Sequence, residues 1–406
     1  MEKYYTLKIY DISLVDFSVQ ADEFGRLDVT VHEINDNKKH LFPFQLLPDV
    51  SDRNLSSWLK GRTIPKNRRY VTQLLSLVGL TLNDTMGIID MCKGLSVNDA
   101  YWVDDHTEQV RFDDINLYDN PLDETLAFIA YTGYTSTQRH KAGLSSEWTT
   151  DGQFAKAWRR INDGLYLYKA GSDGFANSGM EPYSEYFAAQ IAQQMGISHV
   201  PYDLEKWKGK LASVCPLLNN KDIAFVPFWV VTGQSHFPST LAMSSSMSEN
   251  IFDNMRSMVV FDALICNVDR HAGNYGFLRD NHTGKVLGMA PLFDHNLSLF
   301  SREMERYFPY FLQNSNSMFL PATGTLSFLD ESRIVMGEMQ HEQLRKMIGF
   351  ELTNHPQYPV SQARLSALNR YLKEKVEELL KIPVADEKEL QKKMNKELER
   401  IRNSTN

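Results

Sequence analysis

Alternating apolar and polar side chains mark the first part of the chain. Residues 4–10 and 27–31 alternate in this way, which is typical of strands with one buried face. Over residues 48–92 the apolar positions recur three or four apart and predict short helices. The stretch 101–135 is acidic and without period, so we predict an irregular connector there. Together these patterns predict an amino-terminal α+β subdomain over residues 1–135.

Strand patterns return after residue 135. Residues 165–169, Leu-Tyr-Leu-Tyr-Lys, predict a strand, and Pro182 begins a helical pattern that ends at Gly196. Further strands are predicted at 199–204, 211–218 and 223–232. The segment 136–247 is therefore predicted to form a small β-rich lobe that contains one helix.

From residue 248 to residue 406 the pattern is mainly helical. A hairpin is predicted near residues 275–289, and an apolar stripe over 386–402 predicts a docked or partner-binding terminal helix. The fold class predicted for residues 136–406 is thus α+β, with a β-rich small lobe and a mainly helical large lobe. Such an arrangement predicts a ligand-binding cleft between the lobes.

Composition narrows the class of protein. The 406 residues include 43 Lys and Arg and 51 Asp and Glu, a net charge of −8 that does not favour bulk nucleic-acid binding. No apolar run approaches the ~20 residues of a membrane span, and the first residues lack a signal-peptide core. Cys92, Cys215 and Cys266 are too few and too widely spaced for a disulfide framework or a CxxC metal site. We therefore expect a reduced, soluble, cytoplasmic protein without membrane contact.

The most informative stretch follows a strongly apolar helix pattern that ends near residue 265. Asp269 and Asn274 are five residues apart, and Asp294 follows the predicted hairpin. Phosphoryl transfer needs a carboxylate that accepts the proton of the attacking hydroxyl and oxygen ligands that hold Mg²⁺ on the phosphates. This spacing lets one loop offer the base and one ligand, with Asp294 as the second ligand. We expect His271 to support the loop by packing and hydrogen bonding.

The order Asp269-Arg270-His271-x-x-Asn274, followed by a hairpin and Asp294, resembles the catalytic loop of HipA-like serine/threonine kinases. These are bacterial toxin-type kinases related to phosphoinositide kinases, and the resemblance extends in weaker form over about residues 46–380. It implies a protein-kinase-like core, ATP and Mg²⁺ as cofactors, Asp269 as catalytic base, and Asn274 and Asp294 as metal ligands.

Two charged residues of the small lobe fit this resemblance. Lys169 ends the strand 165–169, and Glu185 lies on the following predicted helix. Kinases position ATP with a strand lysine on the α- and β-phosphates that is supported by a helix glutamate. We therefore expect Lys169 and Glu185 to form this pair. Glu181 is an alternative partner, less favoured because it precedes Pro182.

The resemblance also implies a phosphate-covering loop over residues 149–156, with Gly152 followed four residues later by Lys156. In HipA-like kinases, self-phosphorylation of a hydroxyl in this loop ejects it from the site, and the added charge would repel bound phosphates. The candidate acceptors are Thr149, Thr150, Ser145 and Ser146. The strand around Cys215 and Leu217 is the predicted edge whose backbone binds adenine.

A second candidate function lies in the basic segment 53–69. It carries six Lys or Arg residues and no acidic residue. Two helices flanking a turn there could contact DNA phosphates. Pro65 lies between these helices and the chain is acidic overall. We therefore favour the interpretation that this segment packs on the kinase core and faces partner proteins.

Three alternatives to a protein kinase stay open at this point. They are a small-molecule phosphotransferase with the same loop chemistry, a transferase of AMP, and an inactive kinase core that acts as a DNA-binding or scaffold regulator. The resemblance further implies a toxin–antitoxin setting with a small DNA-binding antitoxin partner, while the substrate protein stays unidentified.

Overall fold

The structure is a computed structural model that describes residues 2–21, 27–135, 143–174, 178–322 and 326–405. It divides into two compact units. The first unit comprises Met1–Ala170, Pro216–Val226 and Leu278–Leu287, and the second comprises Gly171–Cys215, Pro227–Phe277 and Gly288–Asn406. The functional division predicted at residues 135 and 247 stays a prediction.

Strands form the framework of the first unit and part of the second. In chain order the strands are β1 Lys3–Ile9, β2 Ile12–Ala21, β3 Leu27–Ile34, β4 Tyr101–Asp104, β5 Lys156–Ile161, β6 Gly164–Ala170, β7 Asp203–Trp207, β8 Lys210–Pro216, β9 Ile223–Pro227, β10 Gly276–Asp280 and β11 Val286–Met289. Antiparallel pairing joins β5 to β6 and, in the second unit, β7 to β8.

Helices occur in both units. In chain order they are α1 Asp52–Lys60, α2 Val71–Val78, α3 Thr85–Cys92, α4 Phe112–Ile115, α5 Glu124–Thr132, α6 Glu181–Met195, α7 Phe228–Thr232, α8 Ser239–Ser245, α9 Glu249–Ile265, α10 Phe308–Met318, α11 Phe328–Val335, α12 Glu338–Arg345, α13 Gln362–Leu380 and α14 Glu387–Thr405. Helices α1 to α5 lie in the first unit, and the later helices form most of the second. Among the described helices, none is long and apolar enough to cross a membrane.

The first unit begins with a four-stranded antiparallel sheet of order β3-β2-β1-β4. The expectation of an irregular connector over 101–135 is wrong, because β4, α4 and α5 lie there. Some of its acidic residues form ion pairs, and Asp123 caps a helix. The Asp123 carboxylate accepts from the amides of Thr125 and Leu126 at the start of α5, which satisfies donors that a helix leaves open.

Helices α2, α3 and α5 share a second apolar core in the first unit. Leu74, Ile88 and Ile129 are almost fully buried in it, and so is Trp148. Because Trp148 directly precedes the segment predicted to cover phosphate, the helical part of the first unit anchors the root of that loop.

Helix α9 is the centre of the second unit, and α8, α11, α12 and α13 all pack on it. Phe261 and Leu264 on its last turns are completely buried. The strand predicted over 223–232 is wrong in its second half, because β9 ends at Pro227 and α7 follows. Pro227 has no N–H to continue a strand ladder, and its fixed φ suits the start of a helix.

Candidate active site

The end of α9 fixes the position of Asp269, the candidate base. Cys266 adopts a left-handed conformation with φ 53°, so the chain leaves the helix sharply there. The next residue, Asn267, is fully buried and donates to Asp262 Oδ1 at 3.0 Å. Its own amide oxygen accepts from the backbone N–H of Asp269 at 3.1 Å. A buried asparagine thus ties Asp269 to the last turns of the helix.

Arg270 is the most highly connected side chain of this loop. It is buried, and it donates to both carboxylate oxygens of Asp262, from Nε at 2.9 Å and from Nη2 at 3.1 Å. Burial lowers the pKa of Arg270, but the facing Asp262 carboxylate outweighs this effect and the net pKa is raised. The guanidinium therefore stays charged inside the protein.

The same guanidinium holds two separate segments of the chain. Its Nη1 donates to the carbonyl oxygen of Asn274 at 2.9 Å and to that of Phe293 at 2.6 Å. Its Nη2 donates to His295 Nδ1 at 2.8 Å, which requires that ring nitrogen to be unprotonated. The two predicted metal-binding positions, Asn274 and Asp294, are therefore fixed by one side chain.

Within the loop, Asn274 is buried and its Nδ2 donates to the carbonyl oxygen of Asp269 at 3.0 Å. This bond occupies the amide nitrogen, so the amide oxygen is the atom suited to bind a cation. His271 is exposed, and its Nδ1 accepts from the amide of Gly273 at 3.1 Å. The contribution of His271 to the loop is hydrogen bonding rather than packing.

Asp294 has an unusual backbone conformation, with φ 57°. Its N–H donates to the hydroxyl oxygen of Tyr202 at 3.1 Å. Tyr202 is half-buried, and burial of its hydroxyl together with the neighbouring carboxylate of Glu185 raises its pKa well above the ordinary value. The hydroxyl is therefore neutral and oriented at neutral pH. Sequence reasoning missed Tyr202, as it missed Asp262 and Asn267.

Helix α6 holds the segment that follows Asp294. Glu185 is fully buried, and its Oε2 accepts from the N–H of His295 at 3.0 Å. The hydroxyl of Ser184 lies 2.8 Å from the carbonyl oxygens of both His295 and Ser298. Glu181, the alternative to Glu185, instead accepts from the backbone N–H of Ser172 at 3.1 Å.

Lys169 lies in the first unit, on β6, and is buried opposite Lys156 of β5. Its ammonium group is 5.8 Å from the ring centroid of Phe154, within the range of a cation–π contact. The pairing of Lys169 with Glu185 stays a prediction.

The predicted phosphate loop is closed by its own lysine. Lys156 Nζ donates to the carbonyl oxygen of Asp151 at 2.5 Å, and the side chain is buried. Gly152 has φ 101°, and a Cβ there would collide with Lys156 Nζ. The backbone conformation thus favours glycine, while the flexible end of Lys156 could shift to make space for a side chain. Contact of Gly152 and Lys156 with a phosphate stays a prediction.

The four candidate acceptor hydroxyls are all enclosed or engaged. Thr149 Oγ1 donates to Leu95 O at 2.9 Å, and Thr150 Oγ1 donates to Ser146 O at 2.7 Å. Ser145 Oγ accepts from the amide two residues on at 3.1 Å, and Ser146 is completely buried. Self-phosphorylation at any of them needs the loop to leave this position.

One backbone group of the strand that is predicted to bind adenine already forms a hydrogen bond within the protein. The N–H of Leu217 donates to Leu165 O at 2.9 Å, while Cys215 is buried on β8. A hydrogen bond from Leu217 to adenine would have to use its carbonyl group.

Two of the six basic residues of segment 53–69 are not on the surface. Arg62 is buried and donates to both carboxylate oxygens of Asp99, at 2.7 and 2.8 Å. Arg68 is buried against Glu147. Only the other four could supply the DNA contact that the sequence left open.

The candidate ligand atoms can be compared with the ligand preferences of Mg²⁺, the metal that the sequence predicts. In the described ranges no group of three His, Cys, Asp or Glu side chains could hold a metal by itself. Asn274 and Asp294 offer one amide and one carboxylate oxygen. That pair fits Mg²⁺, which takes few protein oxygens and completes its shell with phosphates and water.

Comparisons with known proteins bear on the fold. No protein-family model and no curated protein matches this sequence. Among solved structures, the chain is similar to HipA in the Shewanella oneidensis MR-1 toxin–antitoxin complex of HipA, HipB and operator DNA. The identity is 11% and the TM-score 0.53, over 94% of this chain and 100% of that one. A Helicobacter pylori proinflammatory kinase, CtkA, matches at 17% identity and TM-score 0.47, over 61% of this chain and 93% of that one. The prediction from sequence is confirmed: this chain has the α+β fold of HipA-like kinases.

Proposed function

We propose that this chain is an ATP- and Mg²⁺-dependent protein kinase of the HipA-like type, which phosphorylates a Ser or Thr hydroxyl. One observation carries the proposal. Arg270 binds the carbonyls of Asn274 and Phe293 together, so the loop of the candidate base and the segment of the second candidate ligand have a common anchor.

In the proposed reaction, the acceptor hydroxyl is oriented by a carboxylate oxygen of Asp269. The hydroxyl oxygen forms a bond to the γ-phosphorus, the bond from that phosphorus to the β,γ-bridging oxygen breaks, and ADP leaves. The hydroxyl proton passes to Asp269. Asn274 and Asp294 would hold Mg²⁺, which neutralises charge on the phosphates when bound.

The remaining candidate residues would bind the nucleotide. Lys169 would contact the α- and β-phosphates with Glu185 as support, and the loop around Gly152 and Lys156 would cover the phosphates. The backbone near Cys215 and Leu217 would contact adenine. The buried position of Lys169 on β6, in register with Lys156 of the proposed phosphate loop, supports this role.

Two regulatory properties belong to the same proposal. Phosphorylation of Thr149, Thr150, Ser145 or Ser146 would prevent the loop from returning, since a phosphate does not fit the buried serine positions and would replace the hydroxyl hydrogen bonds of the two threonines. The second property is a small DNA-binding antitoxin partner. The similar HipA forms a complex with HipB and operator DNA, which supports a partner of that kind.

The test uses purified protein with Mg²⁺ and ATP labelled at either the γ- or the α-phosphate. Protein kinase activity predicts transfer of the γ-label to protein Ser or Thr, located by mass spectrometry. Transfer of the α-label would indicate AMP transfer, and label in a metabolite pool would indicate a small-molecule phosphotransferase. No nucleotide binding at all would refute the proposal and favour the inactive regulator.

A further inference from the structure

Arg68, in the basic segment 53–69, has no role in the proposed chemistry and yet is almost fully buried. Its Nη1 donates to the carbonyl oxygen of Glu147, and its Nη2 donates to the carboxylate of the same residue. Longer bonds of 3.3 Å reach the carbonyl oxygens of Thr150 and Lys156. One guanidinium therefore contacts both ends of the predicted phosphate loop.

Glu147 is enclosed with it, at 1% side-chain exposure. Its second oxygen, Oε1, accepts from the backbone N–H of Trp158 on β5 at 2.9 Å. Burial raises the pKa of the Glu147 carboxyl, and the charge of Arg68 together with the amide of Trp158 opposes that shift. Without Arg68 this buried carboxyl would lose its hydrogen-bonded cation and would keep only the charge of Lys156 to oppose the effect of burial.

The backbone of Arg68 and the first residues of the loop are each held by other parts of the first unit. Its own N–H donates to Pro65 O at 3.1 Å, in the turn that leads into α2. On the other side, Trp148 is packed among the apolar side chains of α2, α3 and α5, and Thr149 is bonded to Leu95 O. The residues that begin the loop are thus fixed from the helical part of the first unit.

We propose that Arg68 is a positioning residue that holds residues 147–156 in the conformation that binds the phosphates of ATP, an inference that rests on the proposed kinase function. Arg68 does not contact the nucleotide in this scheme. It acts through the carbonyls of Glu147, Thr150 and Lys156, which lose their donors when the guanidinium is removed. The amino-terminal helices thereby set the affinity for ATP.

The test compares Arg68→Gln, Arg68→Lys and the control Lys66→Gln, which changes an exposed charge of the same segment. We expect Arg68→Gln to raise the Kd and KM for Mg²⁺-ATP about tenfold or more, with little change in the KM for the protein acceptor. Arg68→Lys should recover part of this loss, since it keeps the charge but not the fork of donors. Lys66→Gln should match the wild type.

Glu147→Gln provides a second approach if Arg68→Gln does not fold. It keeps the size and the Oε1 acceptor, and we expect a smaller rise in the same KM. The inference is overturned if folded Arg68 or Glu147 variants bind Mg²⁺-ATP as the wild type does, or if the KM values for ATP and acceptor rise equally. Failure of the wild type to bind Mg²⁺-ATP would instead refute the proposed function.

Discussion

Arg270 Nη1 lies 2.6 Å from the carbonyl oxygen of Phe293, the residue immediately before Asp294. A side chain of the candidate catalytic loop thus fixes the backbone next to the second candidate metal ligand. Because Arg270 is itself held by the buried carboxylate of Asp262, the geometry of both loops depends on one ion pair.

Replacing Arg270 by Met should destabilise the protein strongly. The change leaves Asp262 buried without its charged partner, and breaking such a pair costs about 3–5 kcal/mol. Urea unfolding measures this free energy. The control Arg333→Met removes an ion pair whose side chains are 57% and 48% exposed, and its effect on the free energy of unfolding should be far smaller. Equal losses in the two variants would contradict a special role of the Arg270 pair.

Asp269→Asn should abolish phosphorylation while the protein stays folded. The amide has the size of the carboxylate but accepts no proton, so a rate loss of about 100-fold or more is expected. Label transfer measures the rate, and circular dichroism and the thermal midpoint check the fold. Glu399→Gln, which neutralises an exposed carboxylate of α14, is the matched control. Wild-type rates for Asp269→Asn would exclude it as the base.

Asp294→Asn should increase the requirement for Mg²⁺. Removing one charged oxygen from the proposed ligand pair should raise the Mg²⁺ concentration for half-maximal activity by about tenfold or more. A titration of Mg²⁺ at fixed ATP measures this value, and EDTA should stop the reaction. An unchanged titration curve would show that Asp294 is not a ligand.

Glu185 and Glu181 can be distinguished by the same conservative change to Gln. Glu185 accepts from His295 N and is the proposed support of Lys169, whereas Glu181 accepts from Ser172 N. Loss of a buried charged hydrogen bond should raise the KM for ATP about tenfold in Glu185→Gln. The rise should be smaller in Glu181→Gln. The reverse order would transfer the supporting role to Glu181.

The three thiols should be unreactive in the native protein. Burial raises the pKa of Cys92 to about 11 and that of Cys266 to about 12, and Cys215 is also buried. At pH 8 almost no thiolate is present at Cys92 or Cys266, and thiolate is the reactive form. A colorimetric disulfide reagent should detect three thiols only after denaturation. Fast reaction in the native state would show that at least one site opens.

Local patterns were sufficient to predict the core of the candidate site. The apolar period that ends near residue 265 and the spacing of Asp269 and Asn274 are both properties of neighbouring residues. The contacts that hold this loop in place are not properties of neighbouring residues. Arg270 meets Asp262 across a helix end, and Asp294 meets Tyr202 from 92 residues away. Such partners are chosen by tertiary packing, which no local pattern contains.

Charge was the least reliable guide to structure. The acidic run 101–135 was predicted to be irregular, although Asp123 caps a helix there. The basic run 53–69 resembles a solvated or DNA-binding face, although Arg62 and Arg68 are buried. Their counter-charges, Asp99 and Glu147, lie 37 and 79 residues further along the chain. A count of charges within a segment cannot show this compensation.

The left-handed backbone of Asp294 limits which side chains natural variation can place there. Asn tolerates this conformation at least as well as Asp does, whereas a β-branched residue such as Val would be strongly strained. Loss of activity through this position therefore damages the fold least when the replacement is Asn or Gly. Homologues that have given up catalysis should be enriched in these two residues at the equivalent site.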